Sequence, residues 1–497
     1  MLTEKATLRL NAAARALGIN ISDVILKYVP VIEQRSSTDN ESDIHPTIEQ
    51  SKIIQRYTQG YSCDVDARAG TGKSTTLFWC AEQMNGTGLY VAFNQHTVRD
   101  AESKLPKDVE TKTINSIAFA HLDRRYKERL VRNIPLQHIV DYYDLRIFEE
   151  LITQKAAANL IRDSLSKFCN SNDAAIKLKH VDKELLTNFT PKIKQEMLDT
   201  VIAFTADIFN EMLDINGTMP ITHDFYVKLF SISDVKLKYD FIMVDEAQDW
   251  TAAHMSIIDR QEVPVIRVGD VYQNLYSWKA SGNSYVKTVK SKKHVFRLTN
   301  SFRFGNKIAK EANKILKALD AEDRGLLNEI ESVESNQPAY SGTAVICRTV
   351  IGAFCEYING RSNNKYFSIE NADIQAIKYY GKGLLQIYNS EQPSHPLLMT
   401  HRSWQEFTYW AMNNGEHILR EAIRLVDELG PIRLNDYISN IIVEKHEDRL
   451  VTVNRCKGLE YESVRISSEF LIEEKETPEF LTQKYVAITR GVKRVDF

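Results

Sequence analysis

Short apolar runs alternate with longer stretches of helical periodicity along most of the chain. In the first half, the runs at 61–67, 89–93, 239–247 and 263–270 are short and strand-like. Residues 121–230 lie between two of these runs and carry apolar positions at helical spacing. Strands on both sides of a helical block predict a parallel α/β unit that is interrupted by a helical insertion.

The same arrangement occurs in the second half of the chain. Strand-like runs at 294–299, 343–349, 450–454 and 463–467 flank a mostly helical stretch at 370–440. We therefore predict a second α/β unit with its own mainly helical insert.

The first 44 residues have a different pattern. Residues 1–33 indicate one or two short amphipathic helices, and the polar run EQRSSTDNESDI at 33–44 is typical of a linker. We predict a short helical N-terminal extension. Its helices either pack against the main body or form a DNA-binding helix-turn-helix.

Length and charge limit the class of protein. A chain of 497 residues is long enough for three or four domain-sized units. Its 43% hydrophobic and 26% charged residues are typical of a soluble globular protein. The net charge of −3 excludes a mainly basic nucleic-acid binder, but it leaves room for a local basic groove.

The cysteines and the apolar runs indicate the cellular compartment in which the protein is expected. No two cysteines have the short spacing of a zinc or iron–sulfur site, which favours free thiols in a reducing compartment. No run of about 18 apolar residues occurs, and the N-terminus lacks the apolar core of a signal peptide. We predict an intracellular protein, cytoplasmic or associated with the nucleoid or nucleus, with no membrane segment.

A glycine-rich turn follows the strand at 61–67 and precedes a helix. In ARAGTGKS (67–74), Gly70 and Gly72 allow backbone N–H groups to point at a phosphate. Lys73 is expected at the β- and γ-phosphates and the Ser74 hydroxyl at Mg²⁺. The general pattern has Gly where this chain has Ala67. The sequence predicts ATP binding by Ala69, Gly70, Thr71, Gly72, Lys73, Ser74 and Thr75.

Acidic residues follow the apolar strand FIMV. In VDEAQD (244–249), Asp245 is expected to bind Mg²⁺ and Glu246 to orient the attacking water. The end of a parallel strand places such carboxylates at the mouth of a nucleotide crevice. Phosphoryl transfer also needs positive charge at the γ-phosphate, for which Arg303 and Arg490 are the candidates.

The order of these motifs resembles the UvrD-like branch of superfamily 1 helicases over residues 45–497. The short second insert and the run LYVAFNQ resemble the F-box DNA helicase type within that branch. The resemblance implies an α/β fold with two RecA-like P-loop motor domains, each with a mainly helical insertion, and ATP bound between them. The expected boundaries are an extension and linker (1–44), a first motor domain (45–120 and 236–290) with its insert (121–235), and a second motor domain (291–367 and 446–497) with its insert (368–445).

The resemblance also implies roles for single residues. Gln50 matches the glutamine that reads adenine, and Phe302 matches the aromatic residue that stacks on adenine. Gln273 matches the glutamine that senses the γ-phosphate, and Glu460 matches a glutamate near the ribose. The two arginines named above match the family's arginine fingers.

DNA contacts follow from the same resemblance. Tyr276 and Trp278 match aromatics that stack on bases of a single strand, a contact that tolerates any base sequence. Lesser candidates for strand and backbone contacts are Phe93, Asn94, Thr113, Lys279 and Thr452. The expected partner is single-stranded DNA or a tailed duplex, and a protein partner at the N-terminal helices or the inserts is left open.

The chain departs from the family pattern at several positions. Asn115 and Asn454 stand where the family often has His, and residues 301–303 read SFR where NYR is usual. No catalytic group is lost, although the departures bear on how DNA is coupled to ATP.

We therefore predict an ATP- and Mg²⁺-dependent single-stranded DNA translocase or helicase in repair, recombination or replication. The DEAQD form resembles the branch that moves 3′ to 5′. Alternatives are a translocase that strips proteins with weak unwinding, a motor subunit of a nuclease-associated or antiviral complex, and a non-catalytic scaffold.

Overall fold

Two parallel β-sheets, each with helices on both faces, organise the fold. In the computed structural model, strand order in the six-stranded sheet is β3-β2-β4-β5-β1-β6, and in the five-stranded sheet it is β10-β11-β9-β12-β13. The strands are β1 (Cys63–Ala67), β2 (Gly88–Ala92), β3 (Val109–Thr113), β4 (Phe241–Val244), β5 (Val265–Gly269), β6 (Val295–Leu298), the short pair β7 (Asn300–Ser301) and β8 (Glu331–Ser332), β9 (Tyr340–Cys347), β10 (Ser368–Ile369), β11 (Arg449–Thr452), β12 (Tyr461–Ile466) and β13 (Gly491–Asp496).

The structure describes residues 45–148, 152, 154–182, 190–275, 282–291, 295–319, 331–332, 340–398, 401, 403–414, 417–471 and 476–497. The predicted N-terminal extension and the predicted DNA contacts Tyr276, Trp278 and Lys279 lie outside these residues. Residues Thr47–Phe497 form one compact unit.

Helices connect the strands and fill the two regions that the sequence marks as helical. They are α1 (Ile48–Thr58), α2 (Lys73–Gln83), α3 (Gln95–Glu102), α4 (Ile114–Ala120), α5 (Arg124–Lys127), α6 (Leu136–Tyr142), α7 (Gln154–Cys169), α8 (Pro191–Leu213), α9 (His223–Ile232), α10 (Ala252–Asp259), α11 (Ser284–Ser291), α12 (Asn306–Leu319), α13 (Val350–Ser362), α14 (Asn371–Tyr388), α15 (Trp404–Asn414), α16 (His417–Ser439), α17 (Val453–Cys456) and α18 (Pro478–Ile488). The helix α16 is kinked at Gly430, whose φ is 70°, just before Pro431.

Both faces of the six-stranded sheet are buried, and successive side chains of a strand point to opposite faces. Leu89 and Val91 of β2 pack in the apolar cluster that includes the helices of the first helical region. Tyr90 and Ala92 of the same strand pack in the cluster that contains side chains of α1 and α2. Alternate residues of β2 therefore belong to two different hydrophobic cores, one on each face of the sheet.

The five-stranded sheet is covered in the same way. Val345 and Leu450 pack with α13, α14 and α16 in one cluster, and Ala344 and Val451 pack with α12 and α18 in another. The second cluster also contains Ala69, from the turn after β1. This core therefore extends to the glycine-rich turn.

The predicted α/β class, with parallel strands and two mainly helical regions, is confirmed. The assignment of the sheets to two motor domains stays a prediction. The prediction for β6 is wrong. The sequence pattern places it in the second α/β unit, but it pairs in parallel with β1 in the six-stranded sheet. Hydrophobic periodicity reveals a strand but not the edge on which it pairs.

Three smaller features also bear on the sequence predictions. All six cysteines are free, as predicted, and all are buried. The predicted strand at 450–454 ends at Thr452, and α17 begins at Val453. Among the described helices, none has the length and apolarity needed to cross a membrane.

We expect Gly88→Ala to destabilise the six-stranded sheet. A Cβ at Gly88 would lie 2.3 Å from the Phe241 ring and 3.0 Å from Val109 on the neighbouring strands. Overpacking of this kind lowers the free energy of unfolding by about 1–3 kcal/mol, which urea titration would measure. Gly305→Ala is the control, because a Cβ there would have no heavy atom within 4 Å. Equal stability of the two variants would contradict the packing argument.

Candidate nucleotide site

The turn between β1 and α2 has the backbone shape of a phosphate-binding loop. Gly70 and Gly72 have φ of 73° and 74°, in the left-handed region that favours glycine. A Cβ at Gly70 would also lie 2.5 Å from the Arg303 Cβ. The turn leads into the N-terminus of α2, where free N–H groups and the helix dipole favour an anion.

Side chains at the start of α2 meet the acidic pair after β4. The Lys73 ammonium lies 3.2 Å from Glu246 Oε1. The Ser74 hydroxyl donates to Asp245 Oδ2 at 2.8 Å, and the Tyr90 hydroxyl donates to the same oxygen at 2.7 Å. The predicted phosphate, metal and water-orienting residues are therefore in direct contact.

Burial and neighbouring charges set the charge of the two carboxylates. Burial raises the pKa of Asp245, the Glu246 charge raises it further, and Lys73 opposes both. Burial also acts to raise the pKa of Glu246, but Lys73 and Lys457 outweigh it and lower that pKa to about 2. Glu246 is therefore anionic at neutral pH. Its φ of 49° is strained for a residue with a Cβ, which is a common feature of functional sites.

The second half of the chain supplies two arginines to the same place. Arg303 pairs with Glu460 Oε1 at 2.7 Å and donates to the Thr489 carbonyl at 3.1 Å. Arg490 is 2% exposed, and its Nη2 donates to Gln273 Oε1 at 3.1 Å. Burial and the neighbouring Arg490 lower the pKa of Arg303 to about 10, against the opposing effect of Glu460. Arg303 thus lies beside the loop with Arg490 near it, and an anionic ligand there would relieve the repulsion between the two cations.

Gln50 and Phe302 lie on one side of the loop. A Cβ at Gly72 would be 3.0 Å from Gln50 Nε2 and 3.7 Å from the Phe302 ring. The Gln50 amide donates to Thr76 Oγ1 at 3.1 Å, and its oxygen caps α1 by accepting the Thr47 N–H at 2.9 Å. The two adenine candidates are adjacent, and their role in reading adenine stays a prediction.

Lys457 and Tyr485, like Tyr90, contact the site although the sequence does not single them out. Lys457 forms an ion pair with Asp249 and donates to the Gln273 carbonyl at 2.9 Å. The Tyr485 hydroxyl accepts the Ala69 N–H at 3.2 Å. Lys457 lies three residues before Glu460 in TVNRCKGLEYESV, and Tyr485 lies five residues before Arg490 in YVAITRG. These positions next to predicted site residues are the sequence signal by which they could have been found.

Three of the DNA candidates line a cavity of about 760 Å³. Phe93 is 40% exposed there, Asn94 caps α3, and Thr113 caps α4. Residues that the sequence does not single out complete the wall, among them Tyr226 and Asp249. Asp249 therefore borders the cavity while it pairs with Lys457 of the nucleotide site.

Thr452 lies apart from this cavity's lining. It is 7% exposed, and its hydroxyl donates to Asp373 Oδ1 at 3.0 Å. That bond occupies the hydroxyl proton that a phosphate contact would need, so a DNA contact at Thr452 would require the side chain to exchange partners.

The fold and the site define an α/β protein with parallel sheets and a phosphate-binding loop. No family model matches the chain. The chain is similar to F-box DNA helicase protein 1 of Schizosaccharomyces pombe, with 26% identity over 531 residues that cover 95% of this chain and 59% of that protein. It is also similar to F-box DNA helicase 1 of Gallus gallus, with 27% identity over 517 residues that cover 91% and 49%.

These comparisons confirm the predicted resemblance to DNA helicases of the F-box type. The chain spans about half to three-fifths of the length of these relatives, at 49% and 59%.

We expect Glu460→Gln to destabilise the protein by about 1–3 kcal/mol, because the largely buried Arg303 would remain beside Arg490 without its counter-ion. Urea unfolding monitored by tryptophan fluorescence would measure the change. Glu462→Gln is the matched control, since it removes an exposed ion pair with Lys493 and should change the stability by less than about 1 kcal/mol. A Glu460→Gln protein as stable as the control would contradict the importance of this pair.

Proposed function

We propose that the chain is an ATP-dependent DNA helicase or translocase that moves along single-stranded DNA. The observation that carries the proposal is the meeting of opposite charges at one loop. Lys73, Asp245 and Glu246 come from the elements around the six-stranded sheet. Arg303 approaches the loop at Gly70 from the second half of the chain, and Arg490 lies near Arg303 and contacts Gln273. An enzyme that hydrolyses the γ-phosphate of ATP needs carboxylates for the metal ion and the attacking water, and cations for the charge on the phosphate.

The residues divide the chemistry among them. The loop amides and Lys73 bind the phosphates, and Glu246 orients the attacking water. Arg303 and Arg490 stabilise the charge that builds up on the γ-phosphate. Because Lys73 pairs with Glu246, a bound γ-phosphate competes for Lys73 and leaves Glu246 available to the water.

The oxygen atoms of Ser74 and Asp245 fit Mg²⁺. This ion favours oxygen ligands and takes one or two from the protein, with phosphate and water completing its shell. Ser74 Oγ and Asp245 Oδ2 are 2.8 Å apart and face the loop that would hold the phosphates. Ser74 and Asp245 would hold the ion there, and it would supply neutralisation of the phosphate charge and polarisation of the γ-phosphate.

DNA is proposed to pass the cavity that Phe93, Asn94 and Thr113 line. Aromatic faces and hydrogen-bonding side chains hold single strands of any sequence. Asp249 borders this cavity and pairs with Lys457, which in turn contacts the Gln273 carbonyl. A base in the cavity can therefore act on the nucleotide site through the ion pair. The DEAQD motif supports 3′-to-5′ movement.

ATP hydrolysis with and without single-stranded DNA tests the proposal. We expect DNA to raise the rate at least about tenfold and Lys73→Ala to abolish it, since Lys73 binds the phosphate that is transferred. Lys104→Ala, at an exposed lysine after α3, should hydrolyse ATP as the unchanged protein does. Strand displacement from 3′-tailed and 5′-tailed duplexes then tests the direction.

Other results would favour the alternatives. A rate that is the same with and without DNA would contradict a DNA-driven motor and favour one that needs a protein partner. DNA-stimulated hydrolysis without strand displacement would favour a translocase that strips proteins. No hydrolysis under any condition, with ATP still bound, would favour the scaffold.

Phe93→Ala is expected to weaken single-stranded DNA binding roughly tenfold, because an aromatic stack contributes about 1–3 kcal/mol per base. Fluorescence anisotropy of a labelled oligonucleotide would measure the dissociation constant. Binding of a fluorescent ADP analogue should stay unchanged. Tyr409→Ala removes another exposed aromatic, 75% exposed on α15, and serves as the control. If both variants bind DNA as the unchanged protein does, the cavity is not the DNA path.

A further inference from the structure

A buried tyrosine hydroxyl joins parts of the nucleotide site that are far apart in the sequence. Tyr485 lies in α18 and is 0% exposed. Its hydroxyl accepts the Ala69 N–H at 3.2 Å and donates to Asp270 Oδ2 at 3.1 Å. Burial and the Asp270 carboxylate raise the pKa of Tyr485, so the phenol keeps the proton that it donates.

Asp270 extends this link in two directions. Its Oδ2 also accepts the Gln273 amide at 2.8 Å, and Gln273 Oε1 accepts Arg490 at 3.1 Å. Its own N–H donates to Gln248 Oε1 at 3.0 Å, and Gln248 Nε2 donates to Glu246 Oε2 at 2.6 Å. One chain of hydrogen bonds therefore runs from the phosphate loop to both the water-orienting carboxylate and an arginine.

The position of Tyr485 in α18 matters for Arg490. The helix ends at Ile488, and Arg490 Nε donates back to the Val486 carbonyl at 3.2 Å. Tyr485 and Arg490 thus belong to one rigid piece. A bond between that piece and Ala69 sets how far the guanidinium lies from the phosphate loop.

We propose that Tyr485 is a positioning residue for ATP hydrolysis, whose hydroxyl holds the phosphate loop and Asp270 at the spacing that lets Gln273 and Arg490 meet the γ-phosphate. The inference rests on the proposed ATPase function. Tyr485→Phe keeps the ring and leaves the Ala69 N–H and the Asp270 carboxylate each without one buried partner. The loop amides and Lys73 remain, so the change acts on kcat and little on nucleotide affinity.

A matched control exists in the same fold. Tyr57 is also 0% exposed, and its hydroxyl donates to the carbonyls of Ile242 and Pro264 at 2.9 and 3.3 Å, outside the phosphate loop. Tyr57→Phe therefore removes a buried phenol hydroxyl without touching the link.

The experiment compares the unchanged protein with Tyr485→Phe and Tyr57→Phe. The measurements are ATPase kcat and KM with saturating single-stranded DNA, affinity for a fluorescent ADP analogue, thermal stability, and hydrogen exchange of the peptide that covers residues 68–73. For Tyr485→Phe we expect kcat to fall roughly tenfold, KM and ADP affinity to change less than about threefold, and amide exchange at residues 68–73 to become faster. Tyr57→Phe should lower thermal stability alone.

Three results would overturn the assignment. An unchanged kcat in Tyr485→Phe, with the unchanged protein active, would remove Tyr485 from the reaction and leave the proposed function intact. An equal loss of kcat in both variants would reduce the effect to general destabilisation. Absence of ATP hydrolysis in the unchanged protein, with and without DNA, would refute the proposed function itself, and with it any role of Tyr485 in that reaction.

Discussion

The phosphate loop packs closely against the segment around Ser301. The rest of the candidate nucleotide site depends on this contact. The Ser301 hydroxyl donates to the Ala69 carbonyl at 2.9 Å, and the Phe302 N–H donates to the Gly70 carbonyl at 2.8 Å. No side chain fits between them, because a Cβ at Gly70 would lie 2.7 Å from Ser301 Oγ. This close approach places Arg303 at the edge of the loop.

Charge compensation is the second constraint on the site, because an unpaired buried charge destabilises a fold strongly. Arg68 and Asp66 pair at 2.7 Å with side chains 1% exposed, directly under the loop. Lys73 pairs with Glu246, and Lys457 pairs with Asp249. These pairs hold the functional groups in their charged forms.

Much of the site can be inferred from sequence where the signal is local. The loop residues Gly70 and Gly72 follow from the need for exposed backbone N–H groups, and both have the left-handed φ that such a turn requires. Tyr485 cannot be predicted in this way, because an aromatic residue on a helix is by default a core residue and its hydroxyl partners are set by packing. The strand β6 is wrongly assigned to the second unit for a similar reason, since its pairing with β1 is a property of the assembled sheet.

The α/β class, the phosphate loop, the acidic pair after β4 and the resemblance to F-box DNA helicases can all be inferred from the sequence, because each depends on neighbouring residues or on their order along the chain. The three-dimensional packing was needed to show that Arg303 lies beside that loop, that Arg490 contacts Gln273, that Lys457 pairs with Asp249, and that Tyr485 bonds to Ala69, 416 residues away. Periodicity and motif spacing cannot predict these contacts, because the residues involved are distant in sequence and approach one another only when both sheets have packed.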